Sequence, residues 1–301
     1  MSLAQQRPYL TYLNFVETVI SWICQVSAFF LMSHLIYCGF YRKCRLKVNG
    51  FSNTMLVYMF THAIFCFLCS ICIFDTMKEW RPLATAPYDA YRIYFQGVIP
   101  MGYATVSAIP IFFLTLNRCL ALKWGAYYEK KTGWIFFIIS IGLIILFFCI
   151  SLIITLVELP LQMDLVAECT FFSCMLVKYK TRPQLFIKLT FGFLNLVTGC
   201  YFFYLLRSES KLHVVRKTRV VKITLFLEIG FNIIPTYVSF FFNLITGESA
   251  ANILGQYVAM FSCADAACSG IILSFIFLRR KTSQVVCSST PPIMISTVTK
   301  H

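Results

Sequence analysis

Charge is what this sequence has least of. Only 13% of its 301 residues are Asp, Glu, Lys or Arg, and the acidic ones number 12. A water-soluble domain carries about 25% charged residues, so most of this chain's surface is not built to face water. No Asn-x-Ser/Thr sequon occurs, and no N-glycan is expected. His-Glu-x-x-His and Gly-x-Ser-x-Gly are missing, as is any recognisable motif of paired intramembrane aspartates, so no enzyme active site is expected. No internal repeat is evident, which weighs against a transporter assembled from repeated units.

What fills the sequence is apolar residue in long runs. The chain is 59% hydrophobic, with 31 Phe and 16 Tyr. A membrane-spanning helix needs about 20 consecutive, mainly apolar residues. Seven windows meet that requirement: 15–38, 51–74, 93–117, 134–157, 185–206, 223–245 and 253–278. The second, third and fourth hold no charged residue. The others hold one each, namely Glu17, Lys188, Glu228 and Asp265. The fold class that follows is all-α: a polytopic membrane protein, a seven-transmembrane-helix bundle over 15–278. A short extracellular N-tail is expected at 1–14. The tail 279–301, rich in Ser and Thr, reads as disordered and cytosolic.

The net charge of +14 is distributed unevenly. Of the 26 Lys and Arg, 18 lie in segments 39–50, 118–133 and 207–222 and in the tail. Only 7 lie in the N-tail and in segments 75–92, 158–184 and 246–252; Lys188 is the remaining one. Cytoplasmic segments carry the Lys/Arg excess, which places the N-terminus outside and the C-terminus in the cytosol. The basic excess then meets the anionic inner leaflet of the lipid bilayer and cytosolic partners, and no nucleic acid is expected. The first apolar run is too long for the core of a signal peptide and is followed by Arg42-Lys43-Cys44-Arg45-Leu46-Lys47, so it is expected to stay as the first helix.

Most of the 14 cysteines sit in apolar windows, where a thiol behaves as a small hydrophobe. Cys169 and Cys174 lie in an outer segment open to oxidation and are the candidates for an extracellular disulfide. No metal site and no cofactor are expected.

Polar residues inside the windows are the functional candidates, because hydrocarbon offers them no partner and turns them toward the bundle interior. On helix three, Gln96, Pro100, Tyr103, Ser107, Leu114 and Arg118 fall on one helical face, and Tyr103 either lines a pocket or packs. On helix six, Glu228, Asn232, Thr236, Ser239 and Asn243 form a polar stripe beside Pro235. The proline frees the carbonyl of Phe231, four residues earlier, and is expected to kink the helix there. The stripe either serves a swinging helix or glues helices together. On helix seven, Ser262, Ala266 and Gly270 make a seam of small residues, and the adjacent Asp265 is a counter-charge, a proton site or a hydrogen-bond hub. That window holds no lysine, which excludes the usual retinal Schiff base. Lys188, about one turn into helix five, ordinarily reaches back to the interface along its own stem; the alternative is a ligand counter-charge. The candidate ligand site is the outer half, among Gln96, Tyr103, Lys188 and Ser239, and the short N-tail favours a small-molecule ligand.

The segment 109–122, Ile-Pro-Ile-Phe-Phe-Leu-Thr-Leu-Asn-Arg-Cys-Leu-Ala-Leu, carries a resemblance. Asn117-Arg118-Cys119 looks like the Asp-Arg-Tyr site of rhodopsin-like G-protein-coupled receptors. The fuller string resembles nematode serpentine chemoreceptors, most nearly class BC, and Pro235 resembles that superfamily's helix-six proline. The resemblance implies a chemosensory receptor in the plasma membrane, in a sensory-neuron cilium, that activates a heterotrimeric G protein. Asn117, Arg118, Glu228 and Pro235 would then form the switch and the G-protein face. The chain departs from the pattern in three places. Asn117 replaces the acid that usually restrains the arginine, helix seven lacks Asn-Pro-x-x-Tyr, and Ile93 stands about where the bridging cysteine of helix three would be. Cys169 and Cys174 would pair with each other or with Cys72. A seven-helix transporter or ligand-gated channel is the alternative, with Glu228 and Asp265 relaying protons or ions.

Overall fold

The computed structural model describes residues 8–40, 52–81, 89–158, 183–208, 212–247 and 249–287. Within them the chain folds as helices α1 (Pro8–Phe40), α2 (Asn53–Glu79), α3 (Ala90–Val106), α4 (Ala108–Trp124), α5 (Ala126–Glu158), α6 (Pro183–Ser208), α7 (Leu212–Leu227), α8 (Ile234–Thr246), α9 (Ala251–Leu254) and α10 (Tyr257–Cys287). A π-helical turn, Glu228–Ile233, joins α7 to α8. Because α3 runs into α4 and α7 into α8, seven rods among the described residues are long and apolar enough to cross a membrane: Tyr9–Gly39, Asn53–Glu79, Tyr91–Trp124, Gly133–Val157, Leu185–Ser208, Arg219–Thr246 and Tyr257–Phe277. Each overlaps one expected window. α10 continues to Cys287, so the start of the segment expected to be an irregular tail is helical. Cys169 and Cys174 lie outside the described residues. The terms outer and inner below follow the Lys/Arg asymmetry.

The rods close into a ring. α1 packs between α2 and α10, and the third rod fills the middle, touching α2, α5 and α6 along its length, α10 through α3 and α7 through α4. The central rod is accordingly 67% buried, whereas the fourth, which has the highest hydropathy, is 17% buried and gives most of its surface to lipid. Lipid tails are as apolar as leucine, so contact quality rather than a hydrophobic drive holds such helices together. Small residues supply that contact between the first and seventh rods. A Cβ added at Gly270 would meet Leu31 Cβ at 3.2 Å, and Ala28 and Ala266 are fully buried against Cys66. Ala266 and Gly270 thus form the packing seam, while Ser262 is used elsewhere. Toward the inner end, Met59, Leu114, Phe202, Leu225 and Leu273 interlock five rods in one apolar cluster.

Two rods are broken, each next to a proline. Pro110 has no N–H for the carbonyl of Val106, and the third rod passes through a turn at Ser107. Asn195 of α6 braces the break, donating through Nδ2 to the carbonyl of Ala108 at 3.1 Å. In the sixth rod the effect of Pro235 spreads over a whole turn. The chain widens into the π segment, in which the Ile234 N–H donates to the carbonyl of Ile229, five residues back. The expected disruption at Phe231 therefore takes the form of an over-wide turn, a feature that recurs at functional sites in helices.

Candidate functional site

The π turn brings the interior charges together. Asn232 lies within it and uses every polar atom of its side chain. Its Nδ2 donates to Glu228 Oε2 and to Asp265 Oδ2, both at 2.9 Å. Its Oδ1 accepts from the Ser262 hydroxyl at 2.5 Å, and that hydroxyl oxygen accepts from Lys188 Nζ at 3.2 Å. One continuous chain of hydrogen bonds therefore runs from α6 through α10 to the sixth rod and back to α10. Glu228, Asn232, Ser262 and Asp265 are all buried. The charges of Lys188, Glu228 and Asp265 lie close enough to act on one another.

Local sequence explains the convergence. Glu228 and Asn232 are one turn apart on the sixth rod, and Ser262 and Asp265 are three residues apart on α10, so each pair shares a helical face. Lys188 corrects the ordinary expectation for a lysine near a helix end. Its amine turns inward to Ser262 rather than back to the interface, because two carboxylates lie within electrostatic reach. The polar stripe of helix six is only partly interior: Glu228, Asn232 and Thr236 are buried, Ser239 is half-buried and Asn243 is exposed.

The other ligand-site candidates lie in separate settings. Gln96 donates to Asp75 Oδ2 at 2.8 Å and to Glu79 Oε2 at 3.4 Å. Arg92 also pairs with both of those carboxylates, which makes a small polar rim between α2 and α3. Tyr103 is buried, stacked on Phe65 with ring centres 5.2 Å apart and edge-on to His62 at 5.8 Å. No hydrogen bond or ring contact links Gln96, Tyr103, Lys188 and Ser239 to one another. Lys188 is the member of that set that joins the interior network.

At the inner end of the third rod, Asn117 donates from Nδ2 to Thr54 Oγ1 at 3.1 Å. Thr54 Oγ1 also meets Ser52 Oγ at 3.0 Å, and Ser52 caps α2. Asn117 thus ties the central rod to the start of α2. Arg118, next to Asn117 at the same end, is buried, with 5% of its surface exposed. Toward the outer end, Glu17 Oε2 accepts the backbone N–H of Gln256 at 2.6 Å, anchoring α1 to the start of α10. The chain turns there at Gly255, whose φ of +70° suits glycine.

Cys66, Cys69 and Cys72 fall at Cys-x-x-Cys spacing on α2, a pattern that setting the cysteines aside as small hydrophobes overlooks. Cys66 and Cys69 are fully buried. Gln25 donates to the sulfur of Cys263 at 3.0 Å nearby. Among the described residues, no three His, Cys, Asp or Glu side chains converge as a metal ion would require. Comparison of the chain with protein-family models and with curated proteins gave no match.

Proposed function

We propose that this chain is a G-protein-coupled receptor, a chemosensory one by its resemblance to nematode serpentine receptors, resident in the plasma membrane. A small molecule enters the outer half, favours a state in which the sixth rod parts from the third, and the opened inner cleft accepts a heterotrimeric G protein. A ligand shifts such an equilibrium only through its higher affinity for the open state.

The observation that carries this reading is the hydrogen-bond network at the π turn of the sixth rod. It fastens a locally irregular helix to α6 and α10 at a few polar points, whereas the third rod packs against five of its neighbours. A helix held in that way has two discrete arrangements available, fastened and released. In this scheme Arg118 and Asn117 stand at the inner end of the fixed rod, and Glu228 and Pro235 belong to the moving one.

The test is Arg118→Ala, compared with the parent at matched surface density, with nucleotide exchange on a panel of G proteins as the readout. The expected outcome is normal delivery to the surface with nucleotide exchange reduced about tenfold or more, equivalent to about 1.4 kcal/mol. Undiminished exchange would remove Arg118 from the switch.

The buried Glu228 and Asp265 also suit a transporter or channel that relays protons or ions. Ligand affinity that responds to guanine nucleotide supports the receptor. Ligand-gated current in membranes without a G protein supports the channel.

A further inference from the structure

The interior network holds three ionisable side chains, and their charges do not balance. With all three ionised, Lys188 supplies one positive charge against the two negative charges of Glu228 and Asp265. The excess negative charge would lie in a buried site where Lys188 is the one cation acting on it among the described residues. The hydrogen bonds show the same imbalance atom by atom. Asn232 gives one N–H to each carboxylate and has none left. Asp265 Oδ1 is buried and has no hydrogen-bond partner. Two buried hydroxyls lie in the same region, and they are close enough to interact with each other. Ser269 is one turn further along α10, and Tyr58 on α2 is close enough to feel the charge of Asp265. Both are essentially inaccessible to solvent.

A proton resolves both deficits. Placed on Asp265 Oδ1, it brings the three groups to net neutrality. It also removes the charge from a buried oxygen that has no donor of its own. We propose that Asp265 is a proton-binding site. The folded bundle holds one proton there at neutral pH, taken from bulk water, while Glu228 stays ionised as the counter-charge to Lys188. The groups facing Asp265 from the surrounding elements are Lys188 on α6, Glu228 on the π turn, Tyr58 and Cys66 on α2, Tyr103 on α3 and Cys268 on α10 itself. Apart from Lys188 none of these is cationic, so Lys188 alone sets the charge count. Glu17, the other buried carboxyl on α1, lies at the outer end against Gln256 and takes no part.

The consequence reaches beyond the receptor reading and holds equally for a transporter. Any motion that carries Asn232 away from Asp265 changes the surroundings of the proton, so release of the sixth rod is linked to proton exchange with water.

Infrared spectroscopy of the purified protein at neutral pH tests this directly, because a neutral carboxylic acid shows a carbonyl stretch that a carboxylate lacks. In the parent protein, carboxyl-13C labelling of aspartate is expected to move one such band and deuterium oxide to shift it. A parent spectrum without an aspartate acid band overturns the proposal, and that measurement needs no variant. Asp265→Asn should abolish the aspartate band. Glu228→Gln should abolish it as well, since Lys188 then needs Asp265 ionised. Lys188→Met should keep the aspartate band and add a glutamate band. Persistence of the aspartate band in Asp265→Asn, or no added glutamate band in Lys188→Met, would contradict the charge count. These bands report on the proton whether or not any G protein responds, so the two proposals fail separately.

Discussion

The third and sixth rods are both interrupted next to a proline, yet they are held in opposite ways. The third is 67% buried and meets five of its neighbours; its break at Ser107 is braced by Asn195 from a helix already packed along it. The sixth is 33% buried. Its break is a complete π turn, and its side-chain hydrogen bonds to α10 run through Asn232. The proline alone therefore does not decide whether a helix moves. What differs is the kind of contact across the break. Apolar packing on every side is lost gradually and expensively, whereas a cluster of polar bonds is made or broken together.

That contrast is exposed to three substitutions. Asn232→Ala should have the largest effect. It removes both interhelical bonds that Asn232 makes and leaves the Ser262 hydroxyl without its acceptor and two carboxylate oxygens, on Glu228 and Asp265, without their donor. With each interhelical bond contributing roughly 0.6–1.7 kcal/mol, the loss should be about 2 kcal/mol. Thermal unfolding in detergent measures it, and ligand-independent nucleotide exchange should rise in the same variant. Asn195→Ala should cost about 0.6 kcal/mol, the value of one average interhelical bond, and leave basal exchange unchanged because the third rod stays enclosed. A rise in basal exchange comparable to that of Asn232→Ala would erase the distinction between the rods. Pro235→Ala should have the smallest effect on stability. It restores an N–H for the Phe231 carbonyl, draws the π turn toward regular helix and lowers the maximal response roughly twofold, about 0.4 kcal/mol of population shift.

How much of this was legible in the sequence differs between the two rods. All seven spans stand near their expected places because hydrocarbon thickness and apolar content are read directly from residue type. The polar stripe of helix six was visible as spacing, and so was the presence of Asp265. The partners were not. Spacing assigns a face to Glu228 and Asn232 but cannot say that Asp265 of another helix meets that face at the same depth. Lys188 shows the limit most plainly. Near a helix end a lysine ordinarily reaches outward, and only two carboxylates from distant parts of the chain reverse it. Gln96 is a similar case: spacing assigns it a face but does not say that Asp75 and Glu79 at the end of α2 accept from its side chain. The turn at Ser107 has no mark in the apolar pattern, because Pro110 lies inside an otherwise continuous apolar run.

The central claim is that the sixth rod is released from a fixed third rod when the network at Asn232 opens. Lys123 at the inner end of α4 and Lys222 on α7 are both exposed and suit spin labels. Given the chain's 14 native cysteines, the labels should be attached through keto amino acids. Pulsed electron–electron resonance would compare the parent with Asn232→Ala, using Arg207 of α6, also exposed, paired with Lys123 as the internal reference. The account predicts a new, longer population for Lys123–Lys222 in Asn232→Ala and an unchanged Lys123–Arg207 distribution. An unchanged Lys123–Lys222 distribution in folded Asn232→Ala, or an equal lengthening of both pairs, would contradict it.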